Sequence, residues 1–175
     1  MRLVAGALGL GFALATSTLS VSASAFEREW HLGAGRGVAD GSGLSLSPAL
    51  GAYAAYGLSD VFDARIEVTA RGYQLGSSEN PYALTASAGL VYKLDVLRWI
   101  PWGGVYAGYN GFFEAPRLGL PYEQHDVVLG LGLGLDYAVT RSFGLGATLR
   151  FDIPLSHTDS ELFDALLRAE YRWGW

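Results

Sequence analysis

Strict alternation of apolar and polar residues, sustained over stretches of about a dozen positions and recurring along the chain, constrains the fold more than any other feature. Phe62, Ala64, Ile66, Val68 and Ala70 oppose Asp63, Arg65, Glu67, Thr69 and Arg71. Residues 82–94 set Tyr82, Leu84, Ala86, Ala88, Leu90, Tyr92 and Leu94 against Thr85, Ser87, Gly89 and Lys93. Residues 125–137 set Val127, Leu129, Leu131, Leu133, Leu135 and Tyr137 against Asp126, Gly130, Gly132, Gly134 and Asp136. The pattern returns in residues 143–155, where Gly144, Gly146, Thr148, Arg150 and Asp152 form the polar set. It returns again toward the end, with Asp164, Arg168, Glu170 and Arg172. On a helix each apolar set would scatter around the whole cylinder, so these segments are strands. Residues 28–36, 48–57 and 102–113 are weaker strands of the same kind; in the last, Val105, Ala107 and Tyr109 face one side and Asn110 the other. The total is eight, an even number suited to a closed up-and-down barrel.

The connections alternate in length. Residues 57–60 and 139–141 are tight turns, and 95–101 is somewhat longer. The stretches 37–47, 74–81, 114–124 and 156–162 are longer and rich in Gly, Ser, Asp, Asn or Pro. A barrel with both termini on one side places the short links there and the four long ones opposite.

Strand length and bulk decide which face meets the surroundings. Strands of 10–13 residues at about 3.3 Å per residue and roughly 45° tilt match an apolar band of about 25 Å. The interior of an eight-stranded barrel barely accommodates side chains. The Leu, Phe and Tyr sets would overfill it, whereas glycines and charged residues fit. A soluble barrel is therefore the weaker reading, and a membrane barrel with bulky apolar residues outside is the stronger. The composition agrees: half the residues are hydrophobic, 17% are charged, and 24 are Gly. The 10 Tyr, 8 Phe and 5 Trp speak against disorder. A net charge of −5 disfavours nucleic acid as a partner, and the absence of Cys excludes disulfides and thiolate metal sites. Tyr82, Tyr92, Tyr137, Phe143, Phe163, Tyr171 and Trp173 fall near strand ends, where rings suit the headgroup level. Residues 99–102 (Trp-Ile-Pro-Trp) are expected at the interface on the side of the termini.

The first 25 residues have the character of a cleavable signal peptide: Arg2, an apolar stretch from Leu3 to Ala15, then Ala23-Ser24-Ala25. The apolar stretch is too short for a transmembrane helix. Residues 26–175 are then one barrel domain, exported toward the bacterial outer membrane.

Three segments resemble the small outer-membrane barrels of the OmpA/OmpW type. The chain ends in Tyr171-Arg172-Trp173-Gly174-Trp175, similar to the terminal aromatic signature that the outer-membrane assembly machinery reads. Residues 132–140, continuing to 149–151, resemble the penultimate hairpin, and Pro101 to Asn110 resembles a P-x-x-G-x-G-x-N strand. The resemblance covers the barrel alone, and no OmpA-like peptidoglycan-binding domain is expected after it. The resemblance implies a Gram-negative outer-membrane barrel. It also implies periplasmic chaperones and the barrel-assembly machinery as biogenesis partners, and lipids with lipopolysaccharide as surroundings. Tyr171, Trp173 and Trp175 would be the assembly signal, and the protein would be a monomer.

Ionisable residues concentrate on the lumen face: Asp63, Arg65, Glu67, Arg71, Lys93, Asp126, Asp136, Arg150, Asp152, Arg168, Glu170 and Arg172. Unpaired charges in so narrow a space are costly, so an ion-pair network that closes the barrel is expected. The function that follows is structural or interactive, with loops presented outside the cell. A narrow channel or small-solute conduit stands second, and a lipid-modifying enzyme third. The residues 157–161 (His-Thr-Asp-Ser-Glu) have a hydrolase flavour, but the spacing is His-x-x-Ser in an outer loop, where outer-membrane deacylases carry His-x-Ser in a strand. No catalytic residue, metal site or cofactor is assigned. Glu123 with His125, or His157 with Asp159, would ligate a cation only weakly, and the repeated Gly-x-Gly has no helix after it.

Overall fold

The computed structural model describes residues 27–41, 45–72, 82–94, 96, 98–113, 125–156 and 161–174. Eight strands follow one another: β1 (Trp30–Gly41), β2 (Ser47–Gly57), β3 (Phe62–Gly72), β4 (Tyr82–Lys93), β5 (Trp99–Phe113), β6 (His125–Ala138), β7 (Phe143–Pro154) and β8 (Leu162–Trp173). Each pairs antiparallel with its sequence neighbours, and β1 closes on β8 through the register Trp30↔Trp173 to Gly41↔Leu162. Closure leaves no sheet edge unpaired, the condition a sheet must meet to cross a bilayer. The proposed signal peptide lies outside the described residues.

The exposure pattern is that of a soluble protein turned inside out. Leu167 is 71% exposed, Leu133 64% and Ile66 62%, whereas Arg71, Asp152 and Asp164 are almost wholly buried. Alternation along β3 is complete, each apolar residue outside and each polar one inside.

At the end carrying the termini (the terminal end), every pair of strands joined by a long connection carries an aromatic cross-strand pair. These are Trp30↔Tyr56, Phe62↔Tyr92, Trp99↔Tyr137 and Phe143↔Tyr171. Ring centroids in the first three lie 4.9, 5.3 and 4.8 Å apart. Toward the opposite, loop end, Tyr82 stacks on Phe113 at 4.6 Å, and Phe163 faces Phe151. Rings near strand ends thus form two girdles around an apolar band.

Two boundaries differ from the sequence expectation by three residues or more. β1 runs on to Gly41, where the glycines from residue 37 suggest a loop. A Cβ at Gly37 would overlap the Ala165 carbonyl, so this glycine marks a close approach of β1 to β8. β5 begins at Trp99, three residues early. Its pleat sends Trp99 outward but Ile100 and Trp102 inward, so only part of the expected interfacial cluster lies at the interface.

Candidate functional site: the barrel lumen

Alternating side chains from all eight strands converge on the axis and fill it in layers. The outermost layer at the loop end is apolar: Ala39, Ala49, Ala83, Phe112, Leu162 and Leu166 pack together, none more than 7% exposed. Beneath it Arg71 bridges two carboxylates. Its Nε donates to Asp164 Oδ1 at 2.7 Å and one Nη to Asp152 Oδ2 at 2.9 Å, and its other Nη donates to the Thr85 hydroxyl. Thr85 in turn donates to Asn110 Oδ1. Arg150 donates through Nε to Asp152 Oδ1 at 2.9 Å and lies 3.4 Å from Glu67. Planar guanidinium forks suit such shared, bidentate recognition.

The middle layer is aromatic. Arg65 lies over the Tyr53 ring at 4.2 Å and over the Trp102 ring at 4.5 Å; Arg168 lies against the same two rings at 4.9 and 4.5 Å. Arg150 covers Tyr106 at 4.1 Å. Cation–π contacts of this kind strengthen where water is excluded. The inward glycines make room for these rings. A Cβ at Gly33 would overlap the Tyr53 ring, one at Gly89 the Tyr106 ring, and one at Gly134 the Trp102 indole. Space that the glycine-rich inner faces leave open is therefore occupied by aromatic side chains. Between Gly35, Gly51, Tyr53, Glu67, Thr148 and Arg168 a cavity of about 10 Å³ remains, room for one water.

Toward the terminal end Arg168 pairs with Asp136, its Nε 3.0 Å from Oδ1. Lys93 pairs with Asp63 at 2.7 Å. Glu170 accepts from Arg172 and from the Tyr53 hydroxyl, with His31 Nδ1 at 3.2 Å. Glu29, just before β1, closes this end. Burial pushes its carboxyl above the ordinary 4.5, against the opposing pull of His31, Arg172, Lys93 and Arg141.

Of the twelve charged residues assigned to the lumen, eleven are buried there. Asp126 is the exception. It sits half-exposed at the loop-end rim of β6 and accepts from the Ser156 amide at 3.3 Å and from the Ser156 hydroxyl, with no cation beside it among the described residues. Its parity is inward, but the strand leaves the enclosed section before reaching it. Tyr171 and Trp173 face outward at the terminal end, their rings 5.9 Å apart; Trp175 lies outside the described residues.

Sequence reasoning missed several members. Asp164 shares parity with Arg168 and was within reach of the same argument. His31, opposite in parity to Leu32, and Trp102 and Tyr106, which share the parity of Asn110, were within the same reach; Tyr53 was not, since residues 48–57 carry no charged residue that marks their inner face. The hydrolase-like residues 157–160 and Glu123 lie outside the described residues. His125 stacks on Tyr109 with centroids 5.7 Å apart. Among the described residues no group of three or more His, Asp or Glu could hold a metal ion.

No family model and no curated protein matches the chain. Solved structures do. Neisserial surface protein A is 17% identical with a TM-score of 0.66, covering 81% of this chain and 96% of that one. Ail, the attachment invasion locus protein of Yersinia pestis, is 16% identical with a TM-score of 0.62, covering 85% and 100%. The outer membrane enzyme PagL is 11% identical with a TM-score of 0.55, covering 80% and 98%. One architecture thus carries surface proteins and an enzyme, so function has to be argued from the site. The fold of this chain is that of the small eight-stranded outer-membrane β-barrels.

Proposed function

We propose that the chain is an integral outer-membrane protein, exported by a signal peptide cleaved after residue 25. Its lumen is a structural strut and its four long connections are its working surface. The observation that carries this reading is the layered closure of the lumen. An apolar lid (Phe112, Leu162, Leu166), an Arg–Asp lattice, an aromatic bar (Tyr53, Trp102, Tyr106) and a second ion-pair layer follow one another along the axis. A conduit needs a continuous wet path, and these layers oppose one. The apolar belt between two aromatic girdles supports residence in a bilayer. Short turns then face the periplasm and long connections the outside. Tyr171 and Trp173, outward on the last strand, suit recognition by the barrel-assembly machinery, and outer-membrane lipids cover the belt.

Planar-bilayer recording of the refolded protein tests the reading. Wild type is expected to give no steady openings, whereas truncating the aromatic bar (Tyr53→Ala with Trp102→Ala) admits ions. Steady wild-type conductance altered by replacing Arg65 or Arg150 would establish the conduit instead. Refolding should also yield a heat-modifiable band; solubility as a monomer without detergent would refute the membrane assignment.

A further inference from the structure

One strand breaks the rule that the outer face is apolar. Along β1 the outward positions are Trp30, Leu32, Ala34, Arg36, Val38 and Asp40. Across the outward positions of all eight strands, Arg36 and Asp40 are the only residues with a formal charge at neutral pH. Arg36 does not sit at a strand end. Its cross-strand partners are Leu50 on β2 and Leu167 on β8, which are 62% and 71% exposed. Among the described residues no carboxylate lies within ion-pair distance of it. At about 3.3 Å per residue and roughly 45° tilt, Arg36 lies about 9 Å below Asp40 and about 14 Å above Trp30. It therefore belongs to the half of the apolar band nearer the loops.

A guanidinium facing lipid at that depth is costly unless its stem carries it toward the interface and an anion meets it there. The anion a bilayer supplies at that level is a lipid phosphate, whose geometry suits a guanidinium fork. The rim above argues against a phosphate free in water. Asp40, Gly41, Phe151, Glu161 and Phe163 line a cleft of about 410 Å³, with two carboxylates that repel a dissolved anion. A phosphate held below the rim by its own acyl chains avoids them, and Phe151, Phe163, Val38, Leu50 and Leu167 offer those chains an apolar bed.

We propose that Arg36, on the β8–β1–β2 seam, binds the phosphate of a lipid A-type phosphoglycolipid in the outer leaflet. This rests on the outer-membrane reading and the orientation given above. The test uses the full mature chain refolded into phosphatidylcholine vesicles, alone or with bisphosphorylated lipid A or phosphatidylglycerol. The midpoint of heat-induced mobility change is followed as the added lipid is titrated. Lipid A is expected to raise the wild-type midpoint. Arg36→Leu should need about tenfold more lipid A for half the effect, as loss of one charge-assisted contact implies. In phosphatidylcholine alone the variant should be no less stable than wild type. If Arg36→Leu inserts in no vesicle, Arg36→Gln is read in the same way. An unchanged lipid A response in the variant overturns the proposal. An equal wild-type gain from phosphatidylglycerol overturns the assignment to a phosphoglycolipid. Failure of wild type to insert into any vesicle refutes the membrane reading itself, a different result from insertion without a lipid A response.

Discussion

The two halves of the lumen solve the same problem differently. Toward the loops, Arg71 holds Asp152 and Asp164 from the far wall, and an apolar layer of Phe112, Leu162 and Leu166 seals the lattice from above. Toward the termini the groups are mixed. A lysine, a histidine and two glutamates join the arginines, and Glu29 stands at the mouth. The loop half is thus built from guanidinium and carboxylate groups alone, whereas the terminal half adds an ammonium and an imidazole. The lid and the lattice go together, because a charge beneath an apolar lid has no water to fall back on when its partner goes.

Removing the centre of the loop-half lattice should give the largest effect. Arg71→Met leaves Asp152 and Asp164 without their shared guanidinium and is expected to cost about 3–5 kcal/mol, read from reversible urea unfolding in vesicles. A loss no larger than that of Lys93→Met would erase the contrast between the halves. Next comes the aromatic bar dividing them. Gly134→Ala drives a methyl into the Trp102 indole and should cost about 1–3 kcal/mol. Gly72→Ala meets nothing within 4 Å and should stay within about 0.5 kcal/mol of wild type. Equal effects at the two glycines would mean that Trp102 can swing away and that the bar is soft.

The smallest effect belongs to the terminal mouth. Because burial raises the Glu29 carboxyl above 4.5, the folded state holds this proton more tightly than the unfolded one. The resulting stability is complete below the ordinary value and is lost as pH rises through the raised one. Glu29→Gln should flatten that part of the stability profile and leave the loop half untouched. An unchanged slope between acid and neutral pH would move the titration to another group.

Much of this was legible in the chain. Alternation identifies strands because side chains on an extended backbone point to opposite faces whatever the tertiary context. From β3 onward it therefore sorts Arg65 from Ile66, and Arg150 from Leu149, with no further information. Where the pattern failed, the cause was a residue with two readings. Gly37 resembles a loop residue but serves a close strand approach. Trp102 resembles an interfacial anchor, but the pleat of a strand starting at Trp99 turns it inward. Arg36 was legible by parity alone once β1 was known to continue beyond it.

By itself, then, the sequence determined the strands, their inner and outer faces and the inversion that favours a bilayer, because those properties depend on neighbours two residues apart. Only the tertiary structure decided which charges meet. Arg71 finds Asp164 across the lumen, 93 positions along the chain, and Phe112 and Leu162 form one lid from β5 and β8. Such meetings depend on register and strand tilt around a closed circuit. No local pattern encodes them, since a shift of one residue in any pairing turns that strand's faces inside out.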